Sequence, residues 1–332
     1  MDIQDRKGLK AAAEQALSKA SYDPRLLAVI HTGVALGVSL VLTLISYFLT
    51  RQIDSTGGLA GMGTRSVLST AQAMLSIGSA VIMPFWEIGF IAAAIRMARQ
   101  QSATPDTLLS GFRRLGPVLR LNLLRALIIG LISFACLQVS SVIFIMTPLS
   151  IPIMEATEAL MAQGAPVIDE ALIQSLIPHI LPVYGIFGVL FCVIAIPVLY
   201  RFRMADFAIM DLEPAGALRA LGASHKMMRY NRLSLFKIDL QFWWFYALQI
   251  FGVALCYGDE ILPAVGIRLP FSGDTAFFLF LGIYLIFQLA LAWFAQSRVQ
   301  TTYACVYEAL LPEYLDPEPP VMKNLPWDHL PQ

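Results

Sequence analysis

Charge is scarce in this chain. Only 14% of its residues are Asp, Glu, Lys or Arg, against 57% hydrophobic ones, whereas a soluble globular protein devotes about a quarter of its residues to charge. The excess of apolar side chains is more than a soluble core of this size can bury, which points to a bilayer as solvent. Cysteine and histidine are few and scattered. Cys136, Cys192, Cys256 and Cys305 form no CxxC pair, and His31, His179, His225 and His329 stand apart from them, so the spacing that holds a metal is missing. HExxH, the phosphate-binding loop, GxSxG and GxGxxG are missing as well. These gaps argue for a non-enzyme that uses no cofactor. Net charge is zero, without the basic excess that nucleic-acid binding requires.

Long apolar runs are what the sequence has in abundance. A helix of about 20 residues crosses a hydrocarbon core of about 30 Å at 1.5 Å per residue. Runs of this kind occupy residues 27–49, 74–95, 126–147, 180–200, 238–257 and 275–296. The fifth is the most polar, with Asp239, Gln241 and Gln249, and the basic residues decide in its favour. Threading all six spans places 20 of the 23 Lys and Arg residues on one side and leaves Arg51, Arg65 and Arg268 on the other. Basic residues beside spans resist translocation, so that side is read as the cytoplasm, with both termini in it. The expected fold is an all-α, polytopic transmembrane bundle of six spans with interfacial amphipathic connectors. An N-terminal amphipathic segment covers 1–25, the membrane domain 26–311 and a Pro-rich cytoplasmic tail 312–332. The first run is too long for a removable signal peptide. Residues 148–182 carry no Lys or Arg and read as two short helices on the outer surface, divided by "QGAP".

The connectors carry the charge pattern. In "ALRALGASHKMMRYNRLSLFKIDLQFWWFY", Arg219, Lys226 and Lys237 fall on one helical face, while Leu218, Leu221 and Met228 help to form an apolar side. Such a segment suits the headgroup layer. Arg113, Arg114, Arg219, Lys226, Arg229 and Lys237 are the expected contacts to anionic lipid, and Trp243, Trp244 and Tyr246 the expected anchors in the aromatic belt. A solvated cytoplasmic helix leading into the span is the plainer alternative. "TPDTLLSGFRRLGPVLRLNLLRALIIGLIS" repeats the order of proline, apolar-basic segment and span, and each basic segment follows a span containing proline, Pro84 or Pro197. This suggests a duplication of 26–147 in 180–311.

"YRFRMADFAIMD", the connector above and "TTYACVYEALL" resemble the C-terminal signature of a bacterial integral-membrane family known as domain of unknown function 975. The matching positions are Tyr200, Met204, Ala205, Asp211, Ser224, Asn231, Leu235, Phe236, Trp243, Tyr303 and Tyr307. The N-terminal "DRKGLKAAAEQAL" and "LLSGFRRLG" resemble its weaker elements, so the likeness covers nearly the whole chain. Where the family often has a Pro-Tyr pair in the last span, this sequence reads "AQSRVQTTYA". The resemblance implies a polytopic protein of a bacterial cytoplasmic membrane and no particular activity.

Glu87 stands out among the apolar residues. It precedes Arg96 by nine positions, roughly 13 Å of helix, which puts a carboxylate near mid-bilayer, where it needs a partner. Pro84, one turn earlier, cannot donate to the carbonyl of Ala80 and leaves room for a polar group. His31, Arg201 and Arg298 are the candidate partners. A Glu87 and His31 pair would suit a proton- or cation-responsive transporter, whereas a structural clamp between helices, or a protonated acid, needs no function. Two functions follow: non-catalytic organisation or regulation of membrane lipids and partners, and small-solute or ion transport through Glu87. Membrane lipids are the expected partners, and protein partners or a homo-oligomer remain open.

Overall fold

In the computed structural model, residues 5–55, 62–162, 170–214, 216–264 and 273–315 are described, and their regular elements are all helical. The helices are α1 (Arg6–Ser18), α2 (Pro24–Ser55), α3 (Met62–Ala98), α4 (Ser110–Arg113), α5 (Leu115–Ile145), α6 (Ile151–Ala162) and α7 (Glu170–Arg201). They continue with α8 (Ala205–Asp211), α9 (Ala217–Met228), α10 (Arg232–Asp239), α11 (Trp243–Cys256), α12 (Gly258–Ala264), α13 (Asp274–Leu291) and α14 (Ser297–Leu315). Six stretches are long and apolar enough to cross a membrane: Pro24–Gln52, Ser66–Ala98, Leu115–Ile145, Leu181–Asp211, Arg232–Cys256 and Asp274–Pro312. Each contains most of one of the apolar runs read from the sequence. The protein is an all-α, multi-pass membrane protein.

Local chemistry sets the helix starts. Asp5 caps α1 by accepting from the Gly8 amide at 3.0 Å. The carboxylate of Asp23 accepts from the Arg25 amide at 2.9 Å, and Pro24 fills the first helical position, where a missing N–H costs nothing. The "QGAP" divider and residues 316–332 of the Pro-rich tail lie outside the described residues.

The chain divides into two compact units, Arg120–Arg203 and a discontinuous unit of Met1–Leu119 with Met204–Gln332. These boundaries differ from the division into 26–147 and 180–311. In the first unit Leu123, Leu127, Leu131, Phe134, Val189 and Val193 expose more than half of their surface, as lipid-facing side chains do.

The larger unit holds the best-packed core of the protein, and the connectors build much of it. α14 is enclosed by α1, α3 and α9, so that residues 301–307 are all buried. Leu9, Ala13 and Ala16 of α1, Ala93, Ala94 and Met97 of α3, Met204 and Ile209 near α8, and Met227 and Met228 of α9 complete this interior. The apolar side of the connector therefore faces protein. Leu221 and Met228 are buried, and of the three residues expected on a lipid-directed face only Leu218 is exposed.

The 105–113 segment is anchored through Thr107, Leu108 and Gly111, which are buried. It packs against α3 so closely that a Cβ on Gly89 would lie 1.8 Å from the carbonyl oxygen of Leu108, and one on Gly111 would lie 2.0 Å from that of Phe85. Backbone touches backbone at both points.

Candidate functional site

The last helix carries the polar centre of the larger unit. Arg99, just beyond α3, makes a two-pronged ion pair with Asp211 at the end of α8, at 2.5 and 2.8 Å. Its Nε donates to Glu308 of α14 at 2.8 Å, and Tyr307 donates its hydroxyl hydrogen to Asp211 at 3.0 Å. One guanidinium thus joins three helices. Hydrogen bonding to the Asp211 carboxylate holds it above the usual guanidinium range, so Arg99 stays charged.

One turn earlier on α14, Tyr303 hydrogen-bonds the Asp239 carboxylate of α10 and shares a 2.6 Å hydroxyl contact with Tyr246 of α11. The Met204 amide donates to the buried Ser224 hydroxyl at 3.1 Å, and Asn231 caps α9 through the Met227 carbonyl at 3.0 Å. The (i, i+4) spacing of Tyr303 and Tyr307 puts them on one face, and each meets a carboxylate from a different helix, Asp239 of α10 or Asp211 of α8. These hydrogen bonds and ion pairs clamp α8, α10 and α11 to α14. Among the described residues no group of three or more His, Cys, Asp or Glu is placed to hold a metal ion.

Just before α14 the last span departs from α geometry. Residues 292–296 form a π turn, and the extra residue in such a turn re-aims the side chains beyond it. Gln296 reaches α2, accepting from Thr32 and lying 3.4 Å from Nδ1 of His31. The His31 ring stacks on Phe90 and Trp86, at 4.4 and 5.7 Å between centroids. Trp86 donates to the His31 carbonyl at 2.8 Å. His31 is buried, and its Nε2 has no hydrogen-bond partner among the described residues.

The expected pairing of His31 with Glu87 is not made: the histidine's contacts are Gln296 and two aromatic rings. Glu87 is exposed, between Phe85 and the buried Ile88 and Gly89, and its charged neighbour is Asp206 of α8. The 108–111 backbone meets the Phe85 and Gly89 face of α3, whereas Glu87, two residues from each, lies on another face of the helix. Of its other candidate partners, Arg298 is exposed on α14, and Arg201 closes α7 in the other unit.

The expected lipid contacts divide into two groups. Arg113, Lys226, Arg229 and Lys237 are exposed. Arg114 instead turns inward, donating to the Ile209 carbonyl at 2.8 Å and to Glu213 at 3.2 Å. Arg219 is exposed but spends a donor on the Glu213 carbonyl at 2.7 Å. Trp243 and Trp244 are exposed as anchors should be, whereas Tyr246 belongs to the tyrosine and aspartate clamp. Arg99, Glu308 and the role of both α14 tyrosines were missed. The signal available was an acid at 308 beside an aromatic pair spaced by four, in a helix too polar to face lipid.

Neither the curated proteins nor the solved structures give a match. The family model described as "Protein of unknown function (DUF975)" matches residues 1–312. The chain belongs to that family.

Proposed function

Starting from membership of a family without an assigned activity, we propose that this protein organises or regulates lipids and partner proteins in a bacterial cytoplasmic membrane and performs no chemistry itself. Both termini and the connectors lie on the cytoplasmic side in this reading, which the bias of 20 among 23 basic residues supports. The observation that carries it is the outer surface of residues 218–243. Leu218, Tyr230, Leu233 and Trp243 are 77%, 78%, 74% and 66% exposed, and Lys226, Arg229 and Lys237 are exposed among them. Large apolar groups interleaved with cations suit the boundary between headgroups and acyl chains. Two acids of the same lobe, Asp211 and Asp239, are bonded internally instead.

Each cation near an anionic surface contributes about 1 kcal/mol. Exchanging Lys226, Arg229 and Lys237 together for glutamine should therefore cut the anionic lipid and protein that co-purify with the chain by at least about tenfold. Quantitative mass spectrometry of the extracted complex measures this. Unchanged co-purification would overturn the reading.

Transport is the second reading, favoured by one observation. Glu87 lies within a span with Asp206 as its charged neighbour, and two carboxylates in one place attract a cation or a proton. Glu87→Gln should then abolish a proton- or solute-dependent flux in proteoliposomes while the basic triple variant leaves that flux intact.

A further inference from the structure

The geometry points to a binding site for one aminophospholipid, a phosphodiester lipid with a primary ammonium headgroup, in the cleft between α1, the start of α2 and the start of α14. The inference rests on the lipid-organising reading and names the lipid class, but it uses different residues.

The cleft has a volume of about 460 Å³, within the range of roughly 300–1,000 Å³ that small-ligand sites occupy. Its lining combines two kinds of surface. Trp293 and Phe294, from the π turn, supply the apolar wall, and Phe294 is 71% exposed. Glu14, Asp23, Arg25 and Arg298 supply the charged wall. The Pro24 end of the first span and the π turn of the last span both border it, so it opens where apolar helix gives way to the polar lobe. That is the depth at which headgroups and aromatic belts lie.

The charges in this cleft do not neutralise one another. Arg25 and Arg298 line the same space as Glu14, yet no salt bridge joins any of them among the described residues; the ion pairs found involve Arg51, Arg99 and Arg114. Asp23 spends one oxygen on the Arg25 amide and keeps the other. Two guanidiniums and two carboxylates held apart beside an apolar wall match a ligand with both charges and a tail. Guanidinium binds phosphate oxygens with two donors, and a primary ammonium has three N–H donors to give to Glu14 and Asp23.

The same pattern selects against other lipids. A headgroup with only the phosphate charge leaves two carboxylates facing an anion. A quaternary ammonium has no N–H to donate and leaves those carboxylates without hydrogen bonds. A smaller cavity of about 150 Å³ continues along α1, lined by Lys10, Phe242 and Trp244 among others. Lys10 stands 4.9 Å from the centre of the Phe242 ring there.

The test uses the full chain, purified in detergent and exposed to equal amounts of phosphatidylethanolamine, phosphatidylcholine and phosphatidylglycerol, with bound lipid counted by native mass spectrometry. We expect the ethanolamine lipid to be retained at least about tenfold over either competitor, the margin of one charge-assisted hydrogen bond. Glu14→Gln and Arg298→Gln should each remove that margin, Arg298→Lys should keep part of it, and Lys7→Gln, exposed on the same helix outside the cleft, should leave it whole. All three positions are at the surface, and thermal melting of each variant confirms that the fold is intact. Equal retention of the three lipids, or a preference that survives both glutamine variants, overturns the assignment. If the preference fails while the Lys226, Arg229 and Lys237 variant still sheds anionic lipid, the cleft assignment alone falls; if both fail, the lipid-organising reading falls with it.

Discussion

Gly89→Ala should leave little folded protein in the membrane, and Gly111→Ala should do the same. At each site the new methyl group would sit about 2 Å from a main-chain carbonyl oxygen, of Leu108 or Phe85 respectively. A side chain in that position could swing away. Backbone cannot move without separating the 105–113 segment from α3, and overpacking of this kind costs about 1–3 kcal/mol, with more where nothing yields. The control lies in the same helix: Gly78 has nothing within 4 Å of its Cβ position, and alanine there gains up to about 1 kcal/mol of helix propensity. Fluorescence-detected size exclusion across a temperature ramp separates the three variants. A Gly89→Ala protein as abundant and as heat-stable as Gly78→Ala would show that the two segments are not in the contact described.

The second large effect is expected at Arg99. Removing its side chain leaves Asp211 and Glu308 facing each other across the space that the guanidinium occupied, with Tyr307 donating to only one of them. Losing one member of a well-buried pair costs about 3–5 kcal/mol. Arg99 is 30% exposed and Glu308 29%, so about 2–3 kcal/mol is expected for Arg99→Ala once solvent screening is counted. Arg99→Lys should recover only part, because an ammonium cannot reproduce the two-pronged contact to Asp211. A double-mutant cycle with Asp211→Ala should return a coupling of at least about 1 kcal/mol. Coupling indistinguishable from zero would mean that the three helices are held by apolar packing alone.

The sequence disclosed what depends on local composition. A span is a property of 20 consecutive residues, and the side bias of Lys and Arg is a property of each connector, so the six crossings could be read without knowing which helix meets which. The capping of α2 by Asp23 and Pro24 is local in the same way. Arg99 and Asp211 lie 112 residues apart, and Tyr303 and Asp239 lie 64 apart. Nothing short of tertiary arrangement brings such residues together, and the amphipathic pattern of the connector has two physical solutions, with its apolar side against lipid or against protein. The folded chain takes the second: Ala220, Leu221, Met227 and Met228 are buried, and α9 packs against α8 and α14. Glu87 and His31 illustrate the opposite limit. Glu87 stands out by its rarity in an apolar run and His31 as a candidate partner, but neither property specifies direction. The π turn directs Gln296 at His31, and a π turn leaves little trace in sequence when proline is absent.

The discontinuity of the larger unit bears on how the molecule is made. Its first part ends at Leu119 and its second begins at Met204, and Arg99 must wait for Glu308, 209 residues downstream. A chain leaving the ribosome at about 5–20 residues per second thus spends ten seconds or more with α1 and the end of α3 translated and their receiving helix not yet synthesised. During that interval Leu9, Ala13 and Met97 have only lipid, solvent or a chaperone to meet. Completion of this lobe therefore waits on the synthesis of α14, and a nascent polypeptide stalled before that helix would present quality-control proteases with an unfinished greasy surface at the membrane boundary.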